Sequence, residues 1–325
     1  MVYFSLVIPV KSINPYVRQN VCHILQLRRP DWELIILPDS EEETEWGDSR
    51  IKIISSGRVG PAKKRDMGAA VAKGEVLVFL DDDSYPAADF LDVAARYFSD
   101  LGTVAIGGPG VTPRENSFFQ KVSGAVFLSK FSGGSPERYL PIGAVREVDD
   151  WPSVNLLVRK TVFLDVGGFD IDYWPGEDTK FCLDLFKETG KKIQYVPELI
   201  VWHHRRIGIL SHLKQVGGYG LHRGFFAKRY PETSRRLRYF LPSMFSVFFI
   251  LSLTLLPHFE FARPFFQVMW FVYGLALSKS WVDIFSVEGF FVATAALPLI
   301  FLTHLWYGIR FCRGFFLKKL VSKLR

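Results

Sequence analysis

Short apolar runs alternate with stretches of helical character over the first half of the chain. Residues 4–10, 32–37 and 75–80 have the length and apolar content of buried strands. Residues 16–27 carry apolar side chains at helical spacing, and residues 61–72 place proline at an early helical position. This alternation predicts an α/β fold with a largely parallel sheet and right-handed crossovers. We predict further strands over 51–54, 104–106 and 153–159, and further helices over 87–98, 161–166 and from 177 towards 189.

Three apolar segments dominate the C-terminal part of the chain, at about 239–257, 264–283 and 289–311. A helix that crosses a bilayer needs about 20 apolar residues, and the first and third segments meet that length. The middle segment is marginal because Lys279 interrupts it. Three buried core helices are the alternative, but Phe-, Leu- and Trp-rich runs this close together suit lipid better than water. We therefore predict two or three membrane helices.

The net charge of +7 is unevenly distributed. Residues 203–238 hold nine Lys and Arg against one acid, Glu232, and the tail from Arg310 holds six and no acid. Basic residues beside apolar spans follow the positive-inside rule and favour anionic lipid headgroups. A basic stretch can also bind nucleic acid. Because these stretches flank the apolar segments, we expect membrane lipids and no nucleic acid as partners.

The same charges constrain the membrane topology. If both basic stretches are cytoplasmic, the number of crossings is even, and the middle segment is re-entrant or lies in the interface. The tail over 313–325 mixes apolar and basic residues, as a surface-lying helix does. No signal-peptide pattern precedes the first strand, and three widely spaced cysteines form neither a metal nor a disulfide pattern. We expect a multi-pass protein of the cell membrane with a cytoplasmic N-terminal domain.

Acidic residues occur at three points beside predicted elements. Asp39 follows the second strand, the triplet 81–83 (Asp-Asp-Asp) follows the strand over 75–80, and Glu177-Asp178 opens a helix. Ligands collect at the carboxyl edge of an open α/β sheet. Clustered carboxylates there suit Mg²⁺ or Mn²⁺, which usually arrive with phosphates. Acids that merely cap helices remain the alternative.

The order of these motifs resembles that of family 2 glycosyltransferases of the GT-A fold. The chain presents Asp39, Gly60-Pro-Ala-Lys-Lys-Arg65-Asp66, the triplet 81–83, Gly176-Glu177-Asp178 and His203-His204. The resemblance covers about residues 3–225 and departs at Asp66, where the family commonly has Asn. We accordingly expect a cytoplasmic GT-A domain over 1–225, a basic linker over 226–238, a membrane domain over 239–312 and a basic tail over 313–325.

The resemblance implies a role for each matching residue. It implies donor binding by Pro9, Asp39, Arg65, Asp81, Asp82 and Arg206, cation binding by Asp81, Asp83 and His203, and catalysis by Glu177 and Asp178. Asp178 would be the base, and His204 fits the cation role as well as His203. The cofactor would be Mn²⁺ or Mg²⁺, and the donor would be a nucleoside diphosphate sugar. UDP is the commonest nucleoside diphosphate in the family, and GDP is the next. The stretch 215–223 is assigned only loosely, to diphosphate or acceptor contacts.

These residue types fit sugar transfer by a single, inverting displacement. A cation can stabilise the departing diphosphate, and Lys64, Arg65, Arg205 or Arg206 can add charge-assisted hydrogen bonds. An acceptor hydroxyl needs a base, whereas a phosphate monoester is already anionic. The acidic pair therefore favours a hydroxyl of a lipid-linked glycan or glycolipid as acceptor. A polyprenyl phosphate acceptor is the alternative.

Two other classes of protein are alternatives to a glycosyltransferase. A nucleotidyltransferase also uses acidic metal ligands, but it leaves the acidic pair and the apolar segments unexplained. A non-catalytic membrane scaffold would not need acids at all three points. Among the aromatic residues, Trp151 and Trp174 either stack on a sugar or pack in the core.

Overall fold

The computed structural model describes residues 2–43, 46–169, 173, 175–255, 258 and 260–320. These residues form two compact units. The sheet unit comprises residues 2–113 and 140–204, and the helical unit comprises residues 114–139 and 205–320. The segment 205–225, expected within the catalytic domain, therefore groups with the apolar C-terminal helices.

The sheet unit alternates strands and helices as the apolar pattern predicts. Its strands are β1 (Phe4–Pro9), β2 (Trp32–Leu37), β3 (Ile51–Ile53), β4 (Val76–Leu80), β5 (Ser84–Pro86), β6 (Ala105–Gly107), β7 (Gly110–Val111), β8 (Arg146–Val148), β9 (Asn155–Arg159), β10 (Ile193–Tyr195) and β11 (Val201–His203). Its helices are α1 (Pro15–Ile24), α2 (Pro61–Val71), α3 (Phe90–Phe98), α5 (Lys160–Asp165) and α6 (Glu177–Thr189).

Eight of these strands form one sheet in the order β3-β2-β1-β4-β9-β6-β10-β8. Strands β3, β2, β1 and β4 are parallel neighbours, so their carboxyl ends share one edge. Strands β9 and β8 pair antiparallel to their neighbours. Strands β5, β11 and β7 form a second, small sheet. The mostly parallel sheet confirms the predicted fold class.

Two apolar cores cover the two faces of the large sheet. Helices α1 and α3 pack on one face through side chains such as Val21 and Phe90. Helices α2, α5 and α6 pack on the other through side chains such as Ala69, Phe163 and Phe181. Alternate strand residues supply both cores, so these strands are buried along their whole length: β4 is entirely apolar, and β1 and β2 contain one polar residue each, Ser5 and Glu33.

The helical unit contains the remaining helices. They are α4 (Phe118–Ala125), α7 (Ile209–Arg229), α8 (Pro231–Ser234), α9 (Leu237–Leu255), α10 (Arg263–Glu288) and α11 (Phe290–Phe316). Two of them, α9 and α11, are long and apolar enough to cross a membrane, whereas α10 is not among the candidates. The surface-lying helix was predicted over 313–325. Residues 313–316 belong to α11, residues 317–320 are not helical, and residues 321–325 lie outside the described residues.

Glycines allow α7 and α11 to pack closely along their length. A Cβ at Gly217 would lie 2.3 Å from the indole of Trp306, and one at Gly220 would lie 2.5 Å from the carbonyl oxygen of Tyr307. Small residues at such contacts let two helix backbones approach. Helix packing within the helical unit therefore accounts for Gly217 and Gly220 of the stretch 215–223.

Candidate active site

The carboxyl ends of β1, β2 and β4 bring three predicted donor-site positions to one edge of the sheet. Pro9 ends β1, Asp39 follows β2, and Asp81 follows β4. The buried ammonium of Lys64 donates to the carbonyl of Val10 at 2.6 Å and also to Asp39. Lys64 therefore holds Asp39 in place, and its contact with a diphosphate stays a prediction.

Asp81, Asp83 and His203 form a cluster of potential metal ligands. One ligand atom from each lies within 4.8 Å of the other two, and all three side chains are half-buried. Nε2 of His203 lies 3.1 Å from Oδ1 of Asp83. The backbone places His203 through β11, which pairs with β5 directly opposite Ser84. The triplet after β4 and the last strand of the unit thus meet at one point.

Arg65 connects this cluster with the acidic pair at the start of α6. Its Nη2 lies 2.7 Å from Oδ1 of Asp81, and its Nη1 lies 3.0 Å from Oε1 of Glu177. The guanidinium is almost fully buried, as is Glu177. A planar guanidinium can pair with two carboxylates at once and fix their separation.

Glu177 and Asp178 differ in environment although they are adjacent. Glu177 is 4 % exposed, and its second oxygen accepts from the backbone N–H of Gly176 at 2.9 Å. Burial and the neighbouring Asp178 raise the pKa of Glu177 to about 7, against the opposing effect of Arg65. Asp178 is half-buried, and its Oδ1 accepts from the N–H of Thr179 at 2.7 Å. Asp178 is thus the more accessible carboxylate of the pair.

Several other candidates have local partners. Asp82 lies outside the ligand cluster and accepts from Nδ2 of Asn14 at 3.2 Å. His204 bonds through Nε2 to Gln19 at 2.9 Å, so of the two histidines only His203 is in the cluster. Arg206 belongs to the helical unit.

The two tryptophans proposed for sugar stacking have different outcomes. Trp151 is buried, and its Nε1 donates to the carbonyl of Gly108 at 2.9 Å, so it packs in the core and is not available to a sugar. Trp174 lies outside the described residues.

The sequence pattern gave no role to Asn14 and marked Asp66 only as a departure from the family. Asn14 is the N-cap of α1, where its Oδ1 accepts from the N–H of Val17, while its amide group reaches the acidic triplet. The Asn-Pro step before α1 was the signal for this cap. Asp66 accepts from the N–H of Phe169 at 2.9 Å, and burial raises its pKa to about 6.

The donor atoms of the cluster fit a divalent cation. Two carboxylates and one imidazole within 4.8 Å could converge on a single ion. Mg²⁺ prefers oxygen ligands in near-ideal octahedral geometry, whereas an imidazole nitrogen suits transition metals. The residues present therefore fit Mn²⁺ better than Mg²⁺.

The sequence is similar to those of known glycosyltransferases. The Glycosyl transferase family 2 profile matches residues 5–150. The pre-mycofactocin glycosyltransferase of Mycobacterium tuberculosis is 28 % identical over 178 residues, which cover 55 % of this chain and only 37 % of that protein. The glucosyl-dolichyl phosphate glucuronosyltransferase of Haloferax volcanii is 23 % identical over 228 residues, or 61 % of this chain and 68 % of that protein.

Among solved structures, the fold is similar to that of the mannosyltransferase PcManGT from Pyrobaculum calidifontis in complex with GDP-Man and Mn²⁺. The TM-score is 0.55 at 16 % identity, and the alignment covers 97 % of this chain and 87 % of the other. Residues 5–150 therefore match the Glycosyl transferase family 2 profile, and the fold is GT-A-like.

Proposed function

We propose that this protein transfers a sugar from a nucleoside diphosphate sugar to a hydroxyl of a lipid-linked acceptor, with inversion at the anomeric carbon. The observation that carries the proposal is the bridge from the half-buried Asp81 through the buried Arg65 to the buried Glu177. It joins a cation cluster, suited to a diphosphate, to an acidic pair suited to activating an acceptor. A nucleotide-binding scaffold would need the first feature but not the second.

In this proposal the donor lies along the carboxyl edge of β1, β2 and β4. Asp39, which Lys64 holds in place, would contact the base or ribose of the nucleoside. A divalent cation held by Asp81, Asp83 and His203 would stabilise the negative charge that develops on the departing nucleoside diphosphate. The family resemblance leaves UDP and GDP as the candidates.

Asp178 is the proposed base. The acceptor hydroxyl attacks the anomeric carbon as the bond from that carbon to the diphosphate oxygen breaks, and the hydroxyl proton passes to the Asp178 carboxylate. Glu177 positions its neighbour, because its own carboxylate is engaged by Arg65 and by the N–H of Gly176. One displacement from the face opposite the leaving group inverts the configuration.

The acceptor is proposed to be membrane-linked. Helices α9 and α11 are candidate membrane spans, and one relative is named as a transferase acting on glucosyl-dolichyl phosphate. We place the protein at the cell membrane as a multi-pass protein with the sheet unit in the cytoplasm. Basic residues flanking the spans favour the cytoplasmic side.

The experiment is transfer by the detergent-purified full chain from UDP- and GDP-sugars, with Mn²⁺, to a synthetic lipid-linked sugar and to a polyprenyl phosphate. We expect transfer to the hydroxyl acceptor, an inverted product by NMR, and a loss of roughly 10²–10⁴-fold in Asp178→Asn. Efficient charging of the polyprenyl phosphate with near-normal rates in Asp178→Asn would contradict the hydroxyl assignment. The variant Asp165→Asn, an exposed carboxylate at the end of α5, is the matched control.

A further inference from the structure

Helix α1 carries two amide side chains to the loops that hold the candidate cation ligands. Val17, Val21 and Ile24 follow the helical period and pack in the core of the sheet unit. Gln19 and Asn20 lie between them in the chain and form hydrogen bonds outside the helix. α1 therefore anchors to the core with one set of side chains and reaches the cluster with another.

The amide of Asn20 is bonded to the turn that carries two of the ligands. In this turn the carbonyl of Asp81 accepts from the N–H of Ser84 at 3.2 Å and from its hydroxyl at 2.9 Å. Nδ2 of Asn20 donates to the same carbonyl at 3.4 Å. This third donor ties the turn to α1.

Folding alone does not require the amide of Asn20. The side chain is fully buried, and its Oδ1 has no hydrogen-bond partner in the part of the chain that the structure describes. A buried polar atom without a partner is unfavourable. The carbonyl that Asn20 contacts already has two donors from Ser84. An amide that is costly to bury and redundant for folding points to a role in the site.

The amide of Gln19 holds the other side of the cluster through His204. Its Oε1 lies 2.9 Å from Nε2 of His204, and because an amide oxygen only accepts, Nε2 is the donor. The backbone N–H of His204 donates in turn to the carbonyl of Asp83 at 2.9 Å. The His204 ring also packs against Tyr16 of α1, with 4.7 Å between the ring centroids. His204 is thus fixed between α1 and the acidic triplet.

We propose that Gln19 and Asn20 are positioning residues that set the geometry of the cation cluster. Asn20 contacts Asp81 directly. The residue that Gln19 holds is bonded to Asp83 and follows His203 in the chain. The inference rests on the proposed function, since the cluster has a role only if a cation binds there. Groups that orient metal ligands matter because their loss costs roughly 10–100-fold in metal affinity.

The test is the affinity of the detergent-purified full chain for Mn²⁺, measured as free Mn²⁺ by EPR in the presence of UDP or GDP. Gln19→Leu keeps the size of the side chain and removes the acceptor for His204, and we expect it to raise the Kd for Mn²⁺ at least about 10-fold. The matched control is Gln26→Leu, the same change at an exposed glutamine just beyond α1, and it should bind Mn²⁺ like the parent.

Asn20→Leu separates positioning from folding. Leucine removes the buried oxygen that lacks a partner, and the Asp81 carbonyl keeps both donors from Ser84. The Tm of this variant in EDTA should therefore equal or exceed that of the parent. Its Kd for Mn²⁺ should nevertheless rise at least about 10-fold. A residue with a purely structural role would change the Tm instead.

Three outcomes would contradict the inference. Unchanged Mn²⁺ affinity in both Gln19→Leu and Asn20→Leu overturns it, while Mn²⁺ binding by the parent keeps the proposed cation site. Weaker binding that only parallels a lower Tm in EDTA shows a folding role and overturns it as well. No Mn²⁺ binding by the parent with either nucleotide refutes the cation site of the proposed function, and this inference with it.

Discussion

The guanidinium of Arg65 lies 3.0 Å from the carboxylate of Glu177, although 112 residues separate them in the chain. The pair is almost fully buried, and the same guanidinium also contacts Asp81 at 2.7 Å. Breaking a buried ion pair is costly because it leaves a charge without compensation. Arg65 is therefore expected to matter for both folding and reaction.

Arg65→Gln should destabilise the chain and abolish transfer. Loss of one partner of a buried pair costs about 3–5 kcal/mol, which corresponds to a fall in Tm of about 10 °C for a unit of this size. The measurement is thermal unfolding in detergent together with transfer rates. Arg96→Gln is the control, because the ion pair of Arg96 with Glu198 is exposed and surface pairs contribute little. Equal Tm values for the two variants would argue against an energetic role for the bridge.

Asp83→Asn should remove the cation dependence of nucleotide binding. Asp83 is one of three proposed ligands, and changes even to the outer partners of metal ligands cost roughly 10–100-fold in affinity. We expect the gain in UDP or GDP affinity on addition of Mn²⁺ to be more than about 10-fold larger in the parent chain than in the variant. The measurement is calorimetric titration with and without Mn²⁺ or with EDTA. Unchanged Mn²⁺-dependent affinity would remove Asp83 from the cation site.

The sequence predicted those features that depend on local pattern. β2 has its predicted bounds, residues 32–37, and α6 begins at Glu177 because Pro175-Gly176 forms a turn before it. The strands β5, β7 and β11 are too short for a periodic signal, yet β11 is what brings His203 to the acidic triplet.

Other features depended on distant partners. The bridge of Arg65 and the environment of His212 arise from contacts between elements far apart in the chain, which residue type and spacing do not specify. The close approach of α7 to α11 at Gly217 and Gly220 is of the same kind, because it depends on Trp306 and Tyr307, about 90 residues further along the chain.

Asp66→Asn should stabilise the chain at neutral pH and not at acidic pH. Burial raises the pKa of Asp66 from 3.8 to about 6, so the folded state binds its proton more tightly than the unfolded state. The stability contributed by this group is therefore present below about pH 4 and is lost as pH rises to about 6. Asn keeps an acceptor for the N–H of Phe169 and does not ionise.

The measurement is Tm of both chains from pH 4 to pH 8. The variant should exceed the parent by a few degrees at pH 7–8, with the difference shrinking to nothing near pH 4. Asp165→Asn, which changes an exposed carboxylate, controls for the loss of one negative charge. A difference that stays constant across this range would show that Asp66 does not titrate as described.

His212→Gln should change the pH dependence in the opposite direction. Burial lowers the pKa of His212 from 6.5 to about 4, so the unfolded state binds its proton more tightly than the folded state. Its contribution to stability is therefore present above about pH 6.5 and is lost as pH falls towards 4. The variant should have a lower Tm at pH 7, because the hydroxyls of Ser123 and Thr303 lose their shared partner, but its Tm should fall less steeply on acidification.

The measurement is the same pH series, with His23→Gln as control for a histidine on the partly exposed face of α1. Parallel Tm curves for the parent and His212→Gln would show that the buried imidazole does not set this pH dependence.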